Sequence, residues 1–186
     1  INILEEIFSK SPMLIAVHCE DENIIQENIA KAKQKYGQEV PIWEHSNIRS
    51  AQACYKSSSM AVSLAKKHNS RLHVFHLSTE KEIELFDNTI PLKDKRITAE
   101  VCIHHLWFDE SQYEEKGTLI KWNPAVKKES DKNALFQALL DDDRDIRYDT
   151  MTALSRLGQK AAPIFNQALT DDDRDIRLHA VNSLSQ

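Results

Sequence analysis

Two short apolar runs, Leu14-Ile15-Ala16-Val17-His18 and Leu72-His73-Val74-Phe75-His76, each end in a histidine, and helix-length amphipathic stretches separate them. Runs this short, bounded by turn residues, read as buried strands rather than core helices. Strands that alternate with helices build a parallel sheet with crossover helices. In parallel α/β folds the functional side chains sit at the C-terminal ends of the strands, which is where His18 and His76 fall. If the two strands share one sheet, both imidazoles face the same mouth.

The pattern extends along most of the chain. Residues 2–9 have helical periodicity, Ser11-Pro12 reads as a turn, and Met13 to Val17 as the first strand. From Glu22 to Tyr36, Ile24, Ile25, Ile29 and Ala32 share a face, and Gly37 follows as a helix stop. The acidic residues Glu20 and Asp21 suit either the positive end of that helix or a role in orienting His18. A second helix is predicted over about Ser50 to His68, with Ala53, Ala61, Leu64 and Ala65 as core contacts, and then a strand over Arg71 to Phe75. Ser78-Thr79-Glu80-Lys81-Glu82 reads as a cap and first turn of a helix through Phe86. A third strand is expected over Ile97 to Val101, and a further extended piece over Gly117 to Asn123.

With 186 residues, 41% of them hydrophobic, the chain is long enough for one domain and a small second unit. A formal charge of −5 with scattered basic residues argues against nucleic acid as a partner. No run approaches the roughly 18 apolar residues of a membrane span, and no signal-peptide pattern opens the chain, so a cytoplasmic setting is expected. Cys19, Cys54 and Cys102 stand in dissimilar contexts without a Cys-x-x-Cys pair, which favours neither a disulfide framework nor a zinc knuckle. The only glycines, Gly37, Gly117 and Gly158, leave no room for a glycine-rich phosphate loop. A start in helical periodicity without Met suggests an internal piece of something longer.

The character changes near residue 133. Gln137-Ala138-Leu139-Leu140-Asp141-Asp142-Asp143-Arg144-Asp145-Ile146-Arg147 recurs as Gln167-Ala168-Leu169-Thr170-Asp171-Asp172-Asp173-Arg174-Asp175-Ile176-Arg177, differing only at Leu140/Thr170. This pattern resembles short HEAT-like helical repeats, which implies a possible protein partner. The aspartates lack the glycine and terminal glutamate of a calcium loop. The expected division is therefore a partial α/β barrel of about three parallel strands over residues 1–132 and an all-α repeat tail over residues 133–186.

Four motifs taken in order carry a second resemblance: His18-Cys19-Glu20-Asp21, His76-Leu77-Ser78-Thr79, Thr98-Ala99-Glu100-Val101 with His104-His105-Leu106, and Lys121-Trp122-Asn123-Pro124. Over about residues 1–140 the chain resembles a dihydroorotase of the amidohydrolase superfamily. The resemblance implies zinc as cofactor, with His18 and His76 as metal ligands and Asn123 as a substrate contact; His104 and His105 are read as structural. It also implies a small-molecule substrate and a reaction, the reversible cyclisation of N-carbamoyl-L-aspartate to L-dihydroorotate in pyrimidine biosynthesis by attack of metal hydroxide on the ring amide. The family's His-x-His pair and catalytic aspartate have no counterpart here, so the chain is expected to be inactive alone and its catalytic set is empty. Two other readings stay open: an interaction module formed by the HEAT-like helices on a non-catalytic barrel remnant, and a fusion or truncation product.

Overall fold

The computed structural model describes residues 2–87, 89–138 and 162–185. It divides into two units, Ile1–Phe136 and Gln137–Gln186. In the first, α1 (Asn2–Lys10) leads to β1 (Ile15–Val17), α2 (Glu22–Tyr36), α3 (His45–Ile48), α4 (Ala51–His68) and β2 (Leu72–Val74). Then come α5 (Glu80–Ile83), β3 (Ile97–Ala99), α6 (Ile103–Trp107), α7 (Tyr113–Lys116) and α8 (Glu129–Ala138). The unit is α/β, mostly helical around a three-stranded parallel sheet of order β1-β2-β3.

The register pairs Ile15 with Leu72 and Leu72 with Ile97, and Val17 with Val74 and Val74 with Ala99. Alternation sends these side chains to one face and Ala16, His73 and Thr98 to the other. On the first face Leu72 and Val74 are fully buried; on the second, His73 Nδ1 lies 2.9 Å from the Thr98 hydroxyl. Helix α4 packs against β2, α1, α2 and α5. Its buried residues are small (Ala53, Cys54, Ser58, Ala61, Val62 and Ala65), which lets its backbone come close to its neighbours. A second cluster joins Tyr113, Ile120 and Val126 to Ile42, Phe108 and Trp122.

Local chemistry sets the helix ends. Asp21 caps α2, its carboxylate accepting from the Ile24 N–H at 3.0 Å, and Gly37 ends it at φ +73°, a conformation that costs other residues energy. Ser50 caps α4, and Asn69 closes it in the left-handed region at φ 51°. Asp21→Ala is expected to cost about 1 kcal/mol, read as a fall in the urea midpoint with unchanged slope.

The structure departs from the sequence reading in three places. The strands are three residues long, although isolated bonds from Phe75 N to Val17 O (3.0 Å) and Glu100 N to Val74 O (3.1 Å) continue the pairing. The expected extended piece after Gly117 is a 3-10 turn, Gly117–Ile120, which turns Ile120 into the core beside Tyr113. A short apolar run fits either geometry, and burial of Ile120 selects the turn. Helix α5 stops at Ile83, and Leu85 and Phe86 continue only as turns bonded three residues back.

In the second unit α9 (Ala162–Ala168) packs on α10 (Arg174–Leu184), burying Phe165, Ala168, Ile176 and Ala180. Asp173 caps α10 by accepting from Asp175 N (2.8 Å) and Ile176 N (3.2 Å), while Arg177 donates back to the carbonyls of Asp171 and Asp172. The other copy of this sequence, from residue 139 onward, lies outside the described residues. Among the described residues no helix is long and apolar enough to cross a membrane.

Candidate functional site

The ends of β1 and β2 bring His18 and His76 together. His18 Nδ1 lies 2.9 Å from His76 Nε2, with the rings edge-on and their centroids 4.8 Å apart. Adjacent parallel strands in register make this possible, since Val17 pairs with Val74 and each histidine follows shortly after. The backbone at His76 takes φ 39°, a left-handed conformation that is strained for a non-glycine residue.

The far nitrogen of His18 is also engaged. Nε2 sits 3.1 Å from Glu20 Oε2, and the same oxygen receives the Arg49 guanidinium. The Glu20 side chain is almost wholly buried, so Arg49 supplies the positive charge that makes its burial tolerable. A carboxylate on one imidazole nitrogen holds the proton there and leaves the other nitrogen's lone pair exposed. In His18 that nitrogen is Nδ1, the atom facing His76.

Burial lowers the pKa of His76, and the nearby His18 adds to the effect, so its imidazole is held toward the neutral form. Neutral imidazoles are the form that binds zinc. The two converging nitrogens, with Glu20 behind one of them, therefore fit two ligand positions of a zinc ion. The acidic pair after β1 divides its work: Glu20 orients His18, and Asp21 caps α2 and pairs with Lys56 at 2.9 Å.

Asn123 is exposed, and among the described residues no hydrogen bond links it to either histidine. Its flanking carbonyls are held from inside. His45 Nε2 lies 2.7 Å from the Trp122 carbonyl, and His105 Nε2 lies 3.0 Å from that of Pro124. Both imidazoles are buried, and burial depresses the pKa of each, that of His105 to about 3. Neutral rings must donate their single N–H to these carbonyls. His104 stacks on Trp122 with centroids 4.4 Å apart. Arg49 and His45 were not among the sequence candidates; neither stands in a motif, and each acts on a residue at least 29 positions away.

No protein-family model matches the chain. Sequence similarity is nevertheless clear. A dihydroorotase of Methanosphaera stadtmanae is 28% identical over 164 residues, which are 86% of this chain and 34% of that protein. One from Pyrococcus abyssi is 31% identical over 136 residues, 73% of this chain and 28% of that protein. An allantoinase of Salmonella newport is 27% identical over 133 residues, 70% of this chain and 28% of that protein. Dihydroorotases and allantoinases are its homologues. The chain spans about a third of the length of these curated relatives. Among solved structures, the L-hydantoinase of Arthrobacter aurescens superimposes with a TM-score of 0.66 at 23% identity, over 74% of this chain and 31% of that one. A D-hydantoinase gives 0.65 at 21% identity, over 74% and 31%. The fold of the matched part is that of a fragment of the hydantoinase barrel.

Proposed function

We propose that this chain is the dihydroorotase-like portion of a cyclic amidohydrolase, in which His18 and His76 hold zinc and Asn123 contacts the substrate. The observation that carries the reading is the convergence of His18 Nδ1 and His76 Nε2 at 2.9 Å, with the buried Glu20–Arg49 pair behind His18. The substrate is the N-carbamoyl-L-aspartate and L-dihydroorotate pair. Zinc, when bound, supplies Lewis acidity toward the ring amide. The protein's own part is positional. Glu20 fixes the tautomer of His18, Arg49 fixes Glu20, and the buried imidazoles of His45 and His105 hold the backbone on both sides of Asn123.

Catalytic zinc generally takes three protein ligands, and the pair His18 and His76 supplies two. The 186-residue chain alone is therefore expected to hydrolyse L-dihydroorotate no faster than background. A zinc titration followed by the imidazole 15N resonances tests the ligand assignment. His18 Nδ1 and His76 Nε2 are expected to move to metal-bound positions, and His76→Ala to weaken zinc binding at His18 by at least about tenfold. L-dihydroorotate added afterwards is expected to shift the Asn123 side-chain amide. Unmoved His18 and His76 resonances at saturating zinc would overturn the reading.

A further inference from the structure

We propose that Cys102, His104 and His105 form a second binding site, for a soft divalent cation such as zinc or cobalt(II), using neither His18 nor His76. One ligand atom from each of the three residues lies within 4.8 Å of the others. Ligands around a tetrahedral zinc are closer than this, so a contraction of about 1 Å closes the set. Successive residues on a helix diverge by about 100° and usually part their rings. Here the imidazoles of His104 and His105, at the start of α6, have centroids only 4.3 Å apart.

The nitrogens of His105 are arranged as in a metal-ligating histidine. Nε2 lies 3.0 Å from the Pro124 carbonyl and, in a neutral ring, must carry the hydrogen. Nδ1 is then a lone pair. It is buried, in a residue only 3% exposed, and has no hydrogen-bond partner. An unmet acceptor in such a place costs stability, which a cation would restore. Metal-bound histidines characteristically donate their other N–H to a backbone carbonyl or carboxylate, and Pro124 fills that role here. His104 is fixed by stacking on Trp122, and Cys102, half-buried just before α6, contributes sulfur. One thiolate and two imidazoles are a soft donor set that selects zinc or cobalt over magnesium or calcium. Binding releases the thiol proton to solvent and leaves one coordination position for water.

The test uses the full chain carrying His18→Ala and His76→Ala, so that the other imidazole pair contributes nothing. Titration with cobalt(II) under reducing conditions is expected to raise a sulfur-to-cobalt charge-transfer band in the near ultraviolet that saturates at one equivalent. Zinc is expected to bleach the band by displacement. Cys102→Ser is expected to abolish it, with the far-ultraviolet circular dichroism unchanged. His104→Gln leaves the sulfur in place and is expected to weaken cobalt binding at least about tenfold. A chain that shows no band at saturating cobalt, a band that survives Cys102→Ser, or unchanged affinity in His104→Gln overturns the proposal.

Discussion

Lowering the pH from 7 to 4 in the presence of a chelator is expected to cost the first unit about 3 kcal/mol of folding stability through His105 alone. Burial pushes the His105 pKa from 6.5 down to about 3, and the Pro124 carbonyl, which favours the charged ring, offsets this only in part. In the unfolded chain the imidazole takes up a proton as the pH falls through 6.5; in the folded chain it does not do so until about 3. The stability is therefore complete above pH 6.5 and is lost progressively below it, because the unfolded state binds more protons. His45 and His104 are shifted in the same direction by burial and steepen the fall. Urea unfolding at pH 7, 5 and 4 measures it. His105→Gln keeps an N–H for the Pro124 carbonyl but does not titrate, so its stability should fall less steeply by about 3 kcal/mol over that range. Equal slopes for the two proteins would show that His105 does not carry the effect.

Replacing Glu82 with alanine is expected to destabilise the same unit by about 3–5 kcal/mol. Its side chain is only 2% exposed and sits at the centre of a polar group otherwise cut off from water. The Ser58 hydroxyl donates to Oε1 at 2.5 Å, and the Ser78 N–H and the Thr79 hydroxyl donate to Oε2 at 3.3 and 2.9 Å. Alanine leaves these donors buried without an acceptor. Glutamine can accept from Thr79 and Ser78 and donate to Ser58, so Glu82→Gln should cost no more than about 1 kcal/mol.

The pH dependence of this site has the opposite sign to that of His105. Burial raises the Glu82 pKa above 4.5, so the folded state binds the extra proton, and stability falls as the pH rises from 4.5 through the raised value. Glu82→Gln removes that fall. Thermal unfolding across pH 4 to 8 reads both effects, and an alanine variant as stable as the glutamine one would show that the buried donors find other partners.

Local features were legible in the sequence because they depend on neighbours in the chain. The face formed by Ile25 and Ala32, the cap at Asp21, the stop at Gly37 and the small-residue face of α4 lie within a few turns of one another and follow from helical periodicity. The Gly117–Ile120 segment misled for the same reason: four residues hold too little periodicity to tell a turn from a strand. Asp173 caps α10 through the amides of the residues just after it, a local contact, whereas the return of Arg177 to the carbonyls of Asp171 and Asp172 follows from the fold of that turn.

At the candidate site the sequence by itself determined that two histidines close two strand-like apolar runs, that a carboxylate stands two residues after the first, and that Asn123 precedes a proline. Which nitrogen faces which was decided by tertiary structure, because His18 and His76 are 58 residues apart and meet only through the register of β1 and β2. The pairing of Arg49 with Glu20, the hold of His45 on the Trp122 carbonyl and the tautomer of His105 belong to the same class. Each is a contact between distant segments, driven by the cost of leaving a charge or a polar group unpaired once the core has excluded water. Periodicity sets which side chains turn inward; only the packed fold sets what they meet there.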